Sequence, residues 1–376
     1  MNMKARNALI VGGGFSGMAA AIEMRKRGLD VDLVEIDSGW RSYGAGISLA
    51  PPTLRAFREL GVLDAFLARG AAGDGVQAFT ADGHKIADIA TPRLAGPDVP
   101  GGGGVMRPAL AEILAEATRE AGAHVRLGVT FETLKPRSDK VEVELSDGQH
   151  GAYDVVVGAD GLNSKVRATA FPDAPAPAYV GQCVWRAVLP RPPEVRSVMM
   201  WMGPNVKAGI NPVSREEMYL FVTEDRPNND RIAPAEFLPL LRRLLAPFTA
   251  PLMQHVRAGL NEGSQIVYRP IEWLLAPRPW GRGRIVLIGD AAHATTPHLA
   301  SGACIGVEDG IILAQELTQA PSVEAALPAF EARRWERCRM VVENSVRLAQ
   351  IEIEGGDPGE HARLMGQSMG ALAAPI

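Results

Sequence analysis

ALIVGGGFSGMAAAIEMRKRGLDVDLVEI, residues 8–36, has the pattern of a strand, a tight glycine turn, a helix and a second strand. The apolar run at 8–11 ends in glycines, small and apolar residues continue at helical spacing to Met24, and VDLVEI follows at 31–36. Gly12, Gly14 and Gly17 make a G-x-G-x-x-G turn, whose glycines allow a sharp bend, close approach of a pyrophosphate and tight helix packing. The helix start, with Phe15 and Ser16 beside the glycines, presents free N–H groups and the positive end of the helix dipole to a phosphate. Glu35 ends the second strand, where a carboxylate can accept hydrogen bonds from a ribose diol. Strand, glycines, helix, strand and acid in one unit predict a dinucleotide site; a Gly-rich turn in an unrelated α/β protein is the alternative.

The rest of the chain bounds what surrounds that unit. With 376 residues and 47% hydrophobic content it has length for one large or two intertwined domains. A net charge of -4 without a basic cluster argues against nucleic acid or an anionic membrane as partner. Cys183, Cys304 and Cys338 are odd in number and widely separated, so neither a disulfide framework nor a metal site is expected, and a reducing cytoplasm fits best. The glycines at 12–14 and Glu23 interrupt the N-terminal apolar run, which is therefore not read as a signal peptide. No apolar stretch approaches the roughly 20 residues of a membrane span, so a soluble protein is expected.

Downstream, residues 44–63 predict a loop entering a helix at Pro51-Pro52-Thr53 and closed by Gly61. Asp82-Gly83 predicts a hairpin between two short strands. Residues 92–104, rich in Gly and Pro, predict a mobile surface loop. A helix at about 108–121 then precedes strands at HVRLGV, VEVEL and DVVVGAD. From 174 to 278 prolines and short β-like runs dominate, with one helix near 236–245. An α/β texture returns with RIVLIGD, a long helix to Leu317 and a helix near 327–352. This divides the chain into a cofactor half (1–173, with small strands near 74–106 on the substrate side), a substrate domain (174–278), a continuation of the first half (279–355) and a tail (356–376) with no assigned role.

Two further segments decide which dinucleotide. VVVGADGLNSKVR places Asp160-Gly161 after an apolar strand, and RIVLIGDAAHATTPHLASGACIGVEDG places Gly289-Asp290 after another. An acid where a strand end meets a helix start is placed to hold a polyol such as ribityl, and an Asp that merely caps a helix is the plainer alternative for each. The three segments in this order resemble the FAD-dependent aromatic hydroxylases, the relatives of para-hydroxybenzoate hydroxylase, over about residues 9–348. The resemblance implies an α/β fold with a Rossmann-like FAD-binding domain interleaved with a mixed-sheet substrate domain. It implies that Gly12, Gly14, Gly17 and Glu35 hold the ADP part of FAD, that Arg107 contacts the cofactor's linker, and that Asp290 holds ribityl. Asp160 takes the Asp-Gly role near both FAD and the NAD(P)H path. Arg41 is a candidate for the adenosine side, with a solvated arginine as the alternative. Pro297 lies against the flavin, and Gly302, Ala303 and Cys304 present backbone N–H groups to its pyrimidine edge. The turn departs from the family's Gly-Gln-Gly habit, reading Ala300-Ser301-Gly302-Ala303-Cys304. Cys304 is expected to be a buried small hydrophobe rather than a redox thiol.

The resemblance further implies NADH or NADPH as a transient co-substrate, dioxygen, and a C4a-hydroperoxide that oxygenates an electron-rich ring. No second G-x-G-x-x-G supports a separate nicotinamide domain, and the Trp-x-Trp-x-Ile-Pro segment of flavin-dependent halogenases is absent. A flavin dehydrogenase or reductase of the same fold is the alternative activity, and a flavin-binding protein without turnover is a third. For the substrate, Trp185, Arg186, Met200, Met202, Ile210, Asn211, Tyr219, Phe221 and His298 are candidates, although for each aromatic or Met the core is the favoured place, since these runs alternate as half-buried strands do. Arg186 on an apolar strand needs a partner, either a substrate carboxylate or an internal acid. His298 and Tyr219 are the candidates for handling a ring proton. A monomer or homodimer is expected.

Overall fold

The computed structural model describes residues 5–42, 44–203 and 205–376. At its centre the strand Asn7–Val11 lies between Val155–Gly158 and Asp30–Glu35, with Ile285–Leu287 and His124–Leu127 outside them, all parallel. Gly281–Arg282 adds an antiparallel edge. Leu9, Ile10, Val156 and Val157 are fully buried, as strands covered on both faces must be. Because these strands are parallel and in register, residues at or just beyond their ends, Gly12, Glu35, Asp160 and Asp290, gather along one carboxyl edge, where doubly wound sheets bind ligands.

A second sheet of seven strands runs in the order Ile266–Trp273, Ala178–Pro190, Glu217–Asp225, Val206–Pro212, Val198–Gly203, Val76–Thr80, Lys85–Ile89. The last two form the expected Asp82-Gly83 hairpin and join Val198–Gly203 in parallel, so the N-terminal half supplies one edge of this sheet. Residues alternate between its faces. Trp185, Ala187, Trp201, Ala208, Ile210, Leu220 and Val222 pack on Leu241, Met253 and Val256 of the helices Phe237–Leu244 and Pro251–Gly259. The expectation that Trp185 and Ile210 line a substrate site is therefore corrected: both belong to the helix-covered core.

Another expectation fails for an identifiable reason. Residues 92–104 are not loop throughout, since Gly102–Met106 is the central strand of a three-stranded sheet with Gly46–Leu49 and Ala71–Gly73. The glycines that argued against a strand are what the packing requires: a Cβ on Gly104 would meet Pro212 O at 2.3 Å, and one on Gly103 would meet Ala71 O at 2.7 Å. Ala95 and Val99, in the part that is irregular, are buried. The tail 356–376, for which the sequence suggests no role, is structured. Pro358–Ala373 is a helix capped by Asp357, whose carboxylate accepts from Gly359 N and Glu360 N, and its Leu372 is fully buried. Arg55 and Arg337 donate to the carbonyls of Ala373 and Leu372 in its last turn. The preceding helix begins at Val323, capped by Ser322, rather than near 327. Pro328 lies inside this helix. No helix among the described residues is long and apolar enough to cross a membrane.

Candidate active site

The glycine turn is built as its sequence requires. Gly12 has φ +107°, and a Cβ there would meet Ala159 O at 2.4 Å; a Cβ on Gly17 would meet Gly12 O at 2.0 Å. Gly14 faces open space, the approach a phosphate needs. Glu35 stabilises the turn directly: Oε2 accepts from Gly13 N at 2.7 Å and Oε1 from Asp37 N at 2.8 Å. Trp40, which the sequence reading passes over, donates from Nε1 to Gly13 O at 2.8 Å and stacks under Arg119. Arg41 engages Asp37 at 3.2 Å on the surface.

Ser16 joins this turn to the Gly-Asp segment. A Cβ on Gly289 would lie 2.2 Å from Ser16 Oγ, and one on Gly306 would lie 2.3 Å from it. Asp290 begins the short helix Asp290–His293 and opens onto solvent while protein surrounds it, as on the wall of a deep cleft. Burial raises its carboxyl above the ordinary value, against the pull of His293 and Arg107. Arg107 lies 5.7 Å over the Phe15 ring, and burial lowers its guanidinium below the ordinary value. Neither Arg107 nor Asp290 has an ion-pair partner within 4 Å among the described residues, and both line the same cleft. An open glycine turn, a guanidinium and a carboxylate left for a ligand fit the pyrophosphate and polyol of FAD.

Asp160 is engaged locally: Oδ1 accepts from Ser164 Oγ at 2.5 Å and Oδ2 from Val166 N at 3.0 Å. Arg167 then bridges the two Asp segments by donating to Leu162 O and Ala291 O. Beneath Gly289 lies a closed ion network. Asp309 accepts from Gly289 N at 2.9 Å, His293 Nε2 at 2.6 Å and Arg334 Nε at 2.8 Å. Arg334 and Arg337 both reach Glu308. The ligand atoms of His293, Asp309 and Cys338 lie within 4.8 Å of one another, but His293 and Arg334 already occupy both Asp309 oxygens.

Pro297 starts the turn Pro297–Leu299, followed by Ala300 at φ +47°. The helix Gly302–Gln319 then begins, and its first helical bond runs from Ile305 N to Ser301 O. The N–H groups of Gly302, Ala303 and Cys304 precede that bond and are free for an acceptor. The Cys304 thiol is fully buried, and burial together with Glu308 pushes it well above its ordinary value, away from thiolate chemistry. His298 Nδ1 lies 2.9 Å from Thr296 Oγ1, and its Nε2 is 3.4 Å from Glu352 Oε2.

Met200, Gly209, Phe221 and Arg186 are successive partners on four neighbouring strands, a single rung on the face away from the helices Phe237–Leu244 and Pro251–Gly259. Gly209 makes room for the Phe221 ring, which a Cβ would meet at 2.1 Å. Asn211 and Tyr219 form the next rung. Tyr219 OH is 2.5 Å from Ser48 Oγ, and Asn211 donates to Ser48 Oγ at 2.9 Å and Gly103 O at 3.2 Å. Ser48, absent from the sequence candidates, thus ties the small sheet to this rung. Burial lowers the Arg186 guanidinium and raises the Tyr219 phenol. Arg107 and Arg186 both lie near enough to Tyr219 to act on its phenol, so the cofactor-side arginine and the rung are close neighbours. A cavity of about 670 Å³ lined by Phe79, Trp201 and Leu252 lies instead on the helix-covered side.

The model of the FAD binding domain family matches residues 6–345. The chain belongs to this family, the FAD-dependent aromatic hydroxylases. It is 32% identical to the aurachin C monooxygenase/isomerase of Stigmatella aurantiaca, over 91% of this chain and 88% of that protein. It is also 32% identical to the 2-heptyl-3-hydroxy-4(1H)-quinolone synthase of Pseudomonas aeruginosa, over 92% and 90%. The crystal structure of Klebsiella pneumoniae HpxO with FAD and uric acid has the same fold, with a TM-score of 0.83 at 24% identity over 98% of this chain and 92% of that one. As a family member the chain is an FAD-dependent monooxygenase, and its para-hydroxybenzoate hydroxylase-like fold is the one the three motifs imply.

Proposed function

We propose that this monooxygenase hydroxylates a small aromatic or N-heteroaromatic substrate carrying an acidic group, with NADH or NADPH as transient co-substrate. The observation that carries this reading is Arg186, an enclosed guanidinium on the cleft-facing rung with no ion-pair partner within 4 Å among the described residues. A charged hydrogen-bond donor left unpaired in an enclosed site is costly, and a substrate carboxylate or ring oxyanion satisfies it. Phe221 and Met200 on the same rung offer an aromatic face and a thioether to a flat ring. The quinolone in the name of one relative is such a ring.

FAD, when bound, supplies electron transfer from the nicotinamide and activation of dioxygen. The glycine turn, Glu35, Arg107 and Asp290 would hold it. Glu35 already orders the turn, so a ribose would use its remaining lone pairs. Free N–H groups at Gly302, Ala303 and Cys304 favour negative charge at whatever they face. Arg186 orients the substrate. Tyr219, kept un-ionised by burial and fixed by Ser48, offers a hydroxyl, while His298, lowered by burial, is neutral and able to accept a proton. The three cysteines are free, which suits a reducing cytoplasm, and the working unit is a monomer or homodimer.

The test is NAD(P)H oxidation in air against a panel of hydroxylated and carboxylated aromatic and N-heteroaromatic acids, with products weighed by mass spectrometry. A substrate that accelerates oxidation and gains one oxygen atom is the expected result, whereas oxidation without oxygen insertion would favour a dehydrogenase. Arg186→Met should weaken an acidic substrate by about tenfold to a hundredfold, the worth of a charged hydrogen bond, and leave its neutral analogue nearly unchanged. Equal losses for both would remove the anion-reading role.

A further inference from the structure

The turn that precedes the Gly302 helix carries a line of polar groups that FAD binding and substrate orientation leave without a task. Thr296 Oγ1, on a fully buried residue, lies 2.9 Å from His298 Nδ1. His298 Nε2 lies 3.4 Å from Glu352 Oε2, and Glu352 Oε1 lies 3.1 Å from His361 Nε2. Side-chain exposure rises along this line from 1% at His298 to 13% at Glu352 and 23% at His361. His298 Nε2 is buried and not aligned for a hydrogen bond at rest, so a small rotation of ring or carboxylate closes its link to Glu352. The line joins the turn Pro297–Leu299, the helix Val323–Glu354 and the helix Pro358–Ala373. Lys207 Nζ, 2.5 Å from Glu352 Oε1, ties it to the strand Val206–Pro212 of the seven-stranded sheet.

We propose that Thr296, His298, Glu352 and His361 form a proton path between the buried turn of the active site and solvent. The proposal rests on the hydroxylase reading, in which a ring proton must leave an enclosed site. In the outward direction Thr296 Oγ1 takes a proton and gives its own to His298 Nδ1. His298 releases its Nε2 proton to Glu352, whose carboxyl rotates and hands it to His361 Nε2, and His361 releases its Nδ1 proton to water. One proton enters and one leaves, no bond between heavy atoms changes, and no electron is transferred.

The electrostatics agree. Burial lowers the His298 imidazole below its ordinary value, with Glu352 opposing and Lys207 and His361 reinforcing, so the ring is neutral and has a lone pair with which to accept. Burial alone would raise Glu352, but Lys207, His298 and His361 bring it far below the ordinary carboxylate range, so it holds a proton only in passing. Asp225, on the strand next to that of Lys207, also lies in the field of Glu352 and is raised by burial. His298 is the proton-handling residue, and Glu352 and His361 act through it.

The test uses the FAD-loaded protein with His361→Gln and Glu352→Gln. His361 is partly exposed, so its replacement should leave thermal stability nearly unchanged. One readout is the histidine nitrogen NMR spectrum over a pH series, with His298 assigned by His298→Asn. In the parent the His298 ring nitrogens should shift as His361 changes its proton, and Glu352→Gln should abolish that coupling. The second is NAD(P)H oxidation in air in H2O and D2O. His361→Gln should slow it about tenfold or more, enlarge the solvent isotope effect and respond to added imidazole, as for a lost general acid–base group. His298 resonances indifferent to His361, together with an unchanged rate and isotope effect, would overturn the path, and oxygen insertion persisting in that variant would leave the hydroxylase reading intact. Coupled histidines in a protein that inserts oxygen into no substrate would instead overturn the hydroxylase reading alone.

Discussion

Asp290 and Asp309 are both acids of the Gly-Asp segment's surroundings, yet they differ in what satisfies them. Asp290 has no ion-pair partner among the described residues and faces the cleft, so Asp290→Ala should weaken FAD by about tenfold to a hundredfold. Loss of yellow colour on dilution or gel filtration is the measurement, and full retention would remove its polyol role. Asp309 is fully satisfied and held down to about 2 from its ordinary 3.8, because His293, Arg334 and Gly289 N outweigh the burial that would raise it. A depressed carboxylate contributes stability that is complete above its unfolded value and is lost as pH falls from about 4 towards 2. His293 has the opposite sign. Burial opposes its charge, but Cys338 and Asp309 raise it well above 6.5, so its contribution is complete below the unfolded value and is lost as pH rises through the folded one. The network should therefore stabilise most between about 4 and 6.5. Asp309→Asn should cost about 3–5 kcal/mol in urea unfolding, since Arg334 loses a buried partner, and should flatten the acid limb. At this scale the glycine turn and the placement of Glu35 and Asp290 at strand ends were legible because each motif is local in sequence. Ser48, Trp40, Arg167 and Glu352 were not, because their roles arise from partners far along the chain, such as Ser48 with Tyr219, 171 residues apart.

Between elements, the helices Phe15–Lys26 and Gly302–Gln319 set how closely the glycine turn and the Gly-Asp segment approach. Gly306 leaves room for Ser16, and a Cβ on Gly310 would meet Ala20 N at 2.4 Å. Gly310→Ala should destabilise the protein by about 1–3 kcal/mol through overpacking, read by urea unfolding, and should loosen FAD because both halves of its cradle move apart. A neutral result would mean that the helices slide without strain. Elements with periodic apolar residues or clear caps, such as Pro51–Leu60 with Gly61 at φ +81°, were readable in advance. The strand Gly102–Met106 was not, because its glycines serve neighbouring backbone rather than strand propensity. The helix Pro358–Ala373 was missed although Asp357-Pro358 is a cap followed by a first-turn proline, because its small residues give no strong apolar stripe.

For the whole molecule, the motif order was enough to imply a cofactor sheet and a separate substrate sheet, but neither the two smaller three-stranded sheets nor which strands each large sheet borrows. Val76–Thr80 and Lys85–Ile89 complete a sheet whose other strands lie beyond residue 177. Residues 174–278 expressed alone should therefore lack a cooperative unfolding transition, because Val198–Gly203 loses its parallel partner and the rung of Arg186 and Phe221 loses the cleft that encloses it. A sharp thermal transition in that fragment would show that its helix-covered core suffices. The same borrowing orders events at the ribosome. The hairpin at 76–89 is synthesised more than a hundred residues before Val198–Gly203, an interval of roughly ten seconds, during which its strand edge has nothing of its own sheet to pair with. A chaperone that shields short strand edges in nascent chains would find its binding window on this protein there, closed when residue 203 clears the exit tunnel.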